Sequence, residues 1–400
     1  MNESVIINFL PIADGGGLQN ALSFLATLVS SNRASGFQIL VRSGSSVERS
    51  CIIGGLSFVS VKDSILSRFL FEIRCRSFFQ RGQVCFTLFG PAMLGAKGFL
   101  ININGCAYSN LFYPEIDFWQ DYQGVSRLKR EWVDNYRRAL TKQADYWIFE
   151  TEVLTDRAVR LCGFPSQRVA TVKMAASALV TLDKVKKSVA EGYDEGIRRG
   201  FRVLFLNGAN RNKRIQFLPS LAEELVRNHN EDFVFVTTLP LSDLLTASLE
   251  RDFERRNLRK YWHNIGPVNQ EDVSSLVSVC DSMGTFSRLE SFSNNFVEAW
   301  RMRKPLLATD ADWARSACGE AALYLDPEDP VQAGAVIAKV ISDPELRARL
   351  VAEGTHRLSH YSTPESKNAQ YLSCIKDAVA LKSCSPEERR KIQWPSLTTV

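Results

Sequence analysis

The chain has 400 residues, 45% of them hydrophobic and 23% charged, with a formal net charge of +5. That length is too great for one ordinary core and suits two domains, each with enough apolar residues to bury one. The mild charge, concentrated in local clusters, excludes a general nucleic-acid binder, and no apolar run reaches the roughly 18 residues of a membrane span.

The nine cysteines stand as singletons, mostly in apolar runs, with no C-x-x-C pair. An odd count fits a reduced cytoplasmic chain better than a disulfide framework. The opening MNESVIINFLPIADGGG carries Glu3 and no basic leader, and Asn8 interrupts its apolar run. It reads as a first strand rather than a signal peptide.

From that strand, Val5 to Leu10, the chain passes through Gly15, Gly16 and Gly17, read as a turn, into a helix with apolar spacing at Leu18, Leu22, Leu25 and Leu28. Strands are expected at 38–41, 57–61, 84–88, 99–103, 146–149 and 168–172, with helices among them. A charged run over 183–199 reads as a linker and an exposed helix. The alternation then restarts with a strand at 202–206, the loop NGANRNKR, a helix over 215–228, and strands at 233–237, 263–265, 281–284 and 305–309. Short apolar strands alternating with helices mean a parallel sheet covered on both faces. The expected fold is α/β, with two Rossmann-like domains whose sheets face across a deep cleft. The domains expected are 1–185 and 200–365. Over 366–400 come a helix able to pack back on the first domain and a flexible tail.

The segment most informative about chemistry is SRLESFSNNFVEAW, 287–300. On one continuous helix Glu290 and Glu298 would lie about 80° apart in projection and about 12 Å apart along the axis. The intervening Ser-Phe-Ser-Asn-Asn is instead loop and N-cap chemistry. Glu290 is therefore placed on a loop and Glu298 in the first turns of the next helix. Free backbone N–H groups from Ser293 to Phe296 would then form an anion site.

This segment resembles the E-x7-E motif of retaining glycosyltransferases of the GT-B fold, in the large family 4 (group 1) type that includes bacterial surface-polysaccharide enzymes. RKPLLATD, CGEAALYLDPEDP (318–330) and WHNIGPV (262–268) follow in the same order, so the resemblance covers about 200 to 362. It implies a nucleotide-diphosphate-sugar as co-substrate, with no metal or other cofactor. Glu298 would bind the ribose hydroxyls. Glu290 would contact the donor sugar and stabilise positive charge developing at its anomeric carbon. The donor-binding residues would be Glu298 with Ser291, Phe292, Ser293, Asn294, Asn295, Gly266 and Val268. The family's usual Gly and Pro positions in the loop are Ser291, Ser293 and Asn295 here.

In the loop NGANRNKR, Lys213 matches a family lysine that neutralises the departing diphosphate. The family's arginine position is Gly208 here, with Arg211 and Arg214 close by. Lys213 and Arg211 therefore join Glu290 as the expected catalytic set, because leaving-group charge must be stabilised in the transition state. Gly15, Gly16 and Gly17 resemble the family's N-terminal glycine loop, where donor phosphate and acceptor meet. Many relatives place a His in the first domain. All four here (His229, His263, His356, His360) lie in the second half, and Asn102 or Asn104 falls in the corresponding region. A front-face mechanism, in which the donor phosphate takes the acceptor proton, needs no such base.

Three further features complete the reading. Asp310-Ala311-Asp312 looks like a D-x-D metal site but falls where it would cap the next helix. His356 and His360 share a helix face without a third ligand. The basic-aromatic stretches 68–81 and 126–142 carry net charges of +3 and +4. They suit either interfacial helices on an anionic membrane or amphipathic helices with buried aromatics and a solvated cationic face. Expected partners are thus a nucleotide-sugar donor, a glycan or lipid-linked acceptor and an anionic membrane surface, with no nucleic acid. The expected location is cytoplasmic, peripheral on the membrane's inner face. The competing functions are a nucleotide-sugar epimerase of the same fold and a catalytically silent glycan- or nucleotide-binding subunit.

Overall fold

In the computed structural model, residues 5–13, 15–31, 36–229, 231–384, 388 and 392–395 are described. The chain forms two units, Met1–Met174 with Thr363–Val400, and Ala175–Ser362.

The first unit runs β1 (Val5–Asn8), α1 (Gly15–Ser30), β2 (Phe37–Arg42), α2 (Ser46–Ile53), β3 (Phe58–Val61), α3 (Ile65–Ile73), β4 (Val84–Thr87), β5 (Ile101–Cys106), α4 (Gly124–Thr141), β6 (Tyr146–Phe149), α5 (Glu152–Arg160) and β7 (Val169–Thr171). Its seven strands order as β3-β2-β1-β4-β5-β6-β7, and every pairing is parallel. The central strands are buried along their whole length, as a sheet with helices on both faces requires. Gly105 lets β5 pass β4: a Cβ there would lie 1.6 Å from the Leu88 carbonyl oxygen.

Gly15–Gly17 were expected to form a turn, but they are the first turn of α1, with Gly15 at φ +60°. The helix gains no side-chain cap from them. Its start is instead held from within, where the Asn20 amide donates to the Gly16 carbonyl over 2.7 Å.

The second unit runs α6 (Lys187–Gly196), β8 (Phe201–Phe205), α7 (Leu218–Glu224), β9 (Phe233–Thr237), α8 (Leu244–Arg255), β10 (Trp262–Asn264), α9 (Val273–Ser278), β11 (Ser282–Thr285), α10 (Asn294–Arg301), β12 (Leu306–Thr309), α11 (Asp312–Cys318), β13 (Leu323–Leu325), α12 (Pro330–Ser342) and α13 (Pro344–Leu358). The strand order is β10-β9-β8-β11-β12-β13, again all parallel. β13 was not expected as a strand. It is a three-residue edge strand whose first two residues are only half-buried. Asp329 and Asp343 cap α12 and α13, each followed by proline at the first helical position, where the missing N–H costs nothing.

The chain then returns to the first unit as α14 (Pro364–Ala380), which packs on α1 and β4. Its Lys367 ammonium donates to the Asn20 amide oxygen. Much of the tail read as flexible lies outside the described residues. Its Trp394, however, is buried: the indole donates to the Cys374 carbonyl over 3.1 Å and packs on Tyr146.

All nine cysteines are free thiols. No described helix is long and apolar enough to cross a membrane.

Candidate functional site

The chemistry-bearing residues of the second unit collect at the carboxyl ends of β8 and β11. Gly284 allows these strands to touch, since a Cβ there would meet the Phe205 ring at 2.4 Å. After β8, the Asn210 side chain accepts from the Asn212 N–H at 3.0 Å and closes a tight turn over Arg211–Lys213. Arg214 then takes a left-handed conformation, φ 56°, and its guanidinium binds Asp326 and Glu328.

This turn is clamped to the loop after β11 by one side chain. The Asn212 amide donates to the Leu289 carbonyl at 2.8 Å and accepts from its N–H at 3.3 Å, while the Asn212 carbonyl accepts from the Arg288 N–H at 2.8 Å. The clamp delivers Lys213 to Glu290, with Nζ 2.9 Å from Oε1. Both side chains stay partly open to solvent, so the pair remains available to a ligand. Arg211 is exposed and makes no ion pair among the described residues. The structure therefore joins Lys213 to Glu290 but not Arg211 to either.

Ser293 sits extended at the head of α10 without giving a side-chain cap, and its carbonyl accepts from the Phe296 N–H at 3.1 Å. The Asn295 amide fixes this turn to β8 by donating to the Leu206 carbonyl at 3.1 Å. The Phe292 side chain is committed to an aromatic cluster with Phe296 and Tyr361. Gly266 follows β10 at φ +86°, with Val268 half-buried beyond it.

Glu298 lies in the second turn of α10, only 4% exposed. No hydrogen bond or cation reaches its carboxylate among the described residues, and burial alone pushes its pKa up to about 7. A buried carboxyl group without a donor is costly, so it is a strong candidate for a ligand contact.

Sequence reasoning passed over Asn207, which follows β8 directly. Its side chain is buried, and neither its amide nitrogen nor its oxygen has a partner. The Thr285 and Ser287 hydroxyls, beside it at the end of β11, are likewise buried and unpartnered. The available signal was a polar run opening directly after an apolar strand, where ligands of open α/β sheets bind.

In the first unit, Asn8, Thr87 and Asn104 stand in one register row across β1, β4 and β5. Asn8 donates to the Thr87 hydroxyl at 3.1 Å, whereas both polar atoms of the fully buried Asn104 lack partners. Asn102 turns back to the Leu100 carbonyl. Asp310 does not cap the following helix as expected: Ala311 holds that position without a side-chain bond, and Asp310 binds Arg315 at 2.5 Å. No group of three potential metal ligands occurs among the described residues.

Residues 197–357, nearly the whole second unit, match the model of glycosyl transferases group 1. Over these residues the second unit is similar to the group 1 glycosyl transferases. The wider comparisons agree on architecture. The Anabaena protein HepE, solved with UDP-glucose, superposes with a TM-score of 0.68 at 12% identity, covering 93% of this chain and 99% of that one. WaaG, a glycosyltransferase involved in lipopolysaccharide biosynthesis, superposes at 0.64 and 15% identity, covering 92% and 99%. Identities this low speak for the fold alone, which is GT-B, with two Rossmann-like units. The alpha-D-kanosaminyltransferase of Streptomyces kanamyceticus is 25% identical over 211 residues. That match spans 50% of this chain and about half the relative's length, 52%.

Proposed function

We propose that this protein is a retaining glycosyltransferase, moving a sugar from a nucleotide diphosphate onto a glycan or lipid-linked oligosaccharide during the building of a surface polysaccharide. The observation that carries this reading is Glu298. Inside the family-matched segment, it is a buried carboxylate with no partner, as a group reserved for ligand hydroxyls would be. HepE in complex with UDP-glucose and WaaG in lipopolysaccharide biosynthesis support the donor class and the glycan setting.

In this account Glu298 accepts from the ribose hydroxyls of the donor. The first-turn amides of α10 from Ser293 to Asn295 hold the diphosphate or sugar oxygens. Lys213, with Arg211 drawn in from solvent, opposes the negative charge growing on the leaving diphosphate. Glu290 faces the donor sugar, held in place by Lys213. The bond from the anomeric carbon to the diphosphate oxygen breaks as the bond to the acceptor hydroxyl oxygen forms on the same face. The acceptor proton passes to a donor phosphate oxygen, so no protein base or metal is required. Gly15–Gly17 and Asn104 meet the donor phosphate and acceptor. The reaction belongs on the cytoplasmic side, where nucleotide-sugars are available.

The test is to supply UDP-, GDP-, ADP- and dTDP-sugars with lipid-linked glycan acceptors, following nucleotide release and assigning the product's anomeric configuration by NMR. Acceptor-dependent release with retained configuration is expected. An inverted product would remove the front-face mechanism. Turnover without acceptor would favour the epimerase reading, and no turnover with any pair would favour a silent binding subunit.

A further inference from the structure

An amphipathic helix on a soluble domain normally turns its apolar residues inward. α3 does the reverse, and none of its residues is fully buried. Ile65 is 89% exposed and Leu66 66% exposed, and Phe69, Leu70 and Ile73 follow at helical spacing on the same outer face. The inward face carries Phe71 together with two charged residues. The Glu72 carboxylate accepts from the Leu94 N–H at 3.3 Å, and burial raises its pKa. Burial likewise lowers the pKa of Arg68. The helix is therefore seated by its polar side, and its apolar side has no cover among the described residues.

α4 presents a second apolar stripe. Val125 (82% exposed), Leu128 and Trp132 (67% exposed) recur at three- and four-residue spacing, and Tyr136 stacks on Trp132 at an interplanar angle of 4°. Both stripes belong to the first unit. Exposed cations border them: Arg74 and Arg81 beside α3, and Lys129 beside the α4 stripe. The nearby acids are largely spent, Glu72 on a backbone amide and both Asp117 and Glu131 on Arg127.

Exposed apolar side chains recurring along one helix face are unusual on a monomeric soluble domain. Rimmed by cations, such a face matches the interfacial region of an anionic bilayer, which takes up apolar side chains and attracts Lys and Arg. We propose that the outer faces of α3 and α4 form a docking surface for an anionic lipid membrane, with Ile65, Leu66, Phe69 and Trp132 entering the headgroup layer. This surface belongs to the first unit alone and shares no residue with the proposed donor site, so it holds or falls separately from glycosyl transfer.

The experiment is co-sedimentation of the full chain, without donor or acceptor, with vesicles of phosphatidylcholine alone or with about one third phosphatidylglycerol. Binding should be strong only to the anionic vesicles and should weaken with salt. Reversing two bordering charges, Arg74→Glu with Lys129→Glu, should weaken it at least ten-fold, since each cation near such a surface contributes roughly five-fold. Phe69→Ser with Trp132→Ser should weaken it comparably. These positions are exposed, so the variants should keep the wild-type circular dichroism spectrum and melting temperature. Failure to bind anionic vesicles, or binding unchanged in both double variants, would overturn the proposal. So would light scattering that shows a dimer lost in the Phe69 and Trp132 variant, which would assign the face to a second copy of the chain.

Discussion

Replacing Glu298 by Gln keeps the shape of the side chain and removes its charge, which isolates the cost of holding a partnerless carboxylate inside the second unit. Burial moves its pKa from the usual 4.5 up to about 7. Between those values the folded chain keeps a proton that the unfolded chain has released, so stability falls as pH rises through that window. The penalty is absent below about pH 4.5 and fully expressed above about pH 7, where it amounts to roughly 3 kcal/mol. The Gln amide carries its own burial cost of about 1–3 kcal/mol, but equally at every pH. The quantity to follow by differential scanning fluorimetry is therefore the melting temperature of the variant minus that of the wild type. For a unit of about 190 residues this difference should rise by roughly 6–12 °C between pH 5 and pH 8. Ligand hydroxyls donating to the carboxylate favour its ionised form. Nucleotide affinity should therefore increase between pH 6 and pH 8 in the wild type and show no such rise in Glu298→Gln. A melting-temperature difference that stays flat with pH would refute the reasoning.

Three other outcomes follow from the geometry. Lys213→Ala should slow transfer by about 10²–10³-fold while changing stability by about 1 kcal/mol or less, because the pair with Glu290 is partly solvated; initial rates and a urea titration check both halves. Gly105→Ala must place its Cβ against the Leu88 carbonyl and should cost more than about 3 kcal/mol, seen as a lowered denaturation midpoint or insoluble protein. Burial pushes the Lys367 ammonium down to about 8, so between about pH 8 and 10.5 the unfolded chain holds the extra proton and wild-type stability should rise with pH there. Lys367→Met should remove roughly 3 kcal/mol of that rise, measured by denaturant titration at pH 7.5 and 10.

Both parallel sheets were legible in the sequence because their strands are buried on two faces, which writes them as apolar runs such as VIIN and FVFVT. The loop position of Glu290 and the helical position of Glu298 were legible for a different reason: Ser-Phe-Ser-Asn-Asn is poor helix chemistry. β13 escaped because three residues at a half-buried edge carry too little periodicity. The seating of α3 escaped because spacing identifies an apolar face but not the direction in which it points. The Asn212 clamp and the partnerless Asn207 depend on contacts between residues about 80 positions apart or on burial alone, and neither leaves a local pattern. Trp394 shows the same limit, since its burial against Tyr146 and α14 is a tertiary fact within a polar tail.

The most direct test of the central claim is isothermal titration of the protein with UDP, GDP, ADP, CMP and dTDP in the presence of a chelator, repeated on Glu298→Ala. The account predicts metal-independent binding of one nucleoside diphosphate, weakened at least ten-fold in the variant. Binding that is unchanged in the variant, or no binding of any of them at millimolar concentration, would contradict it.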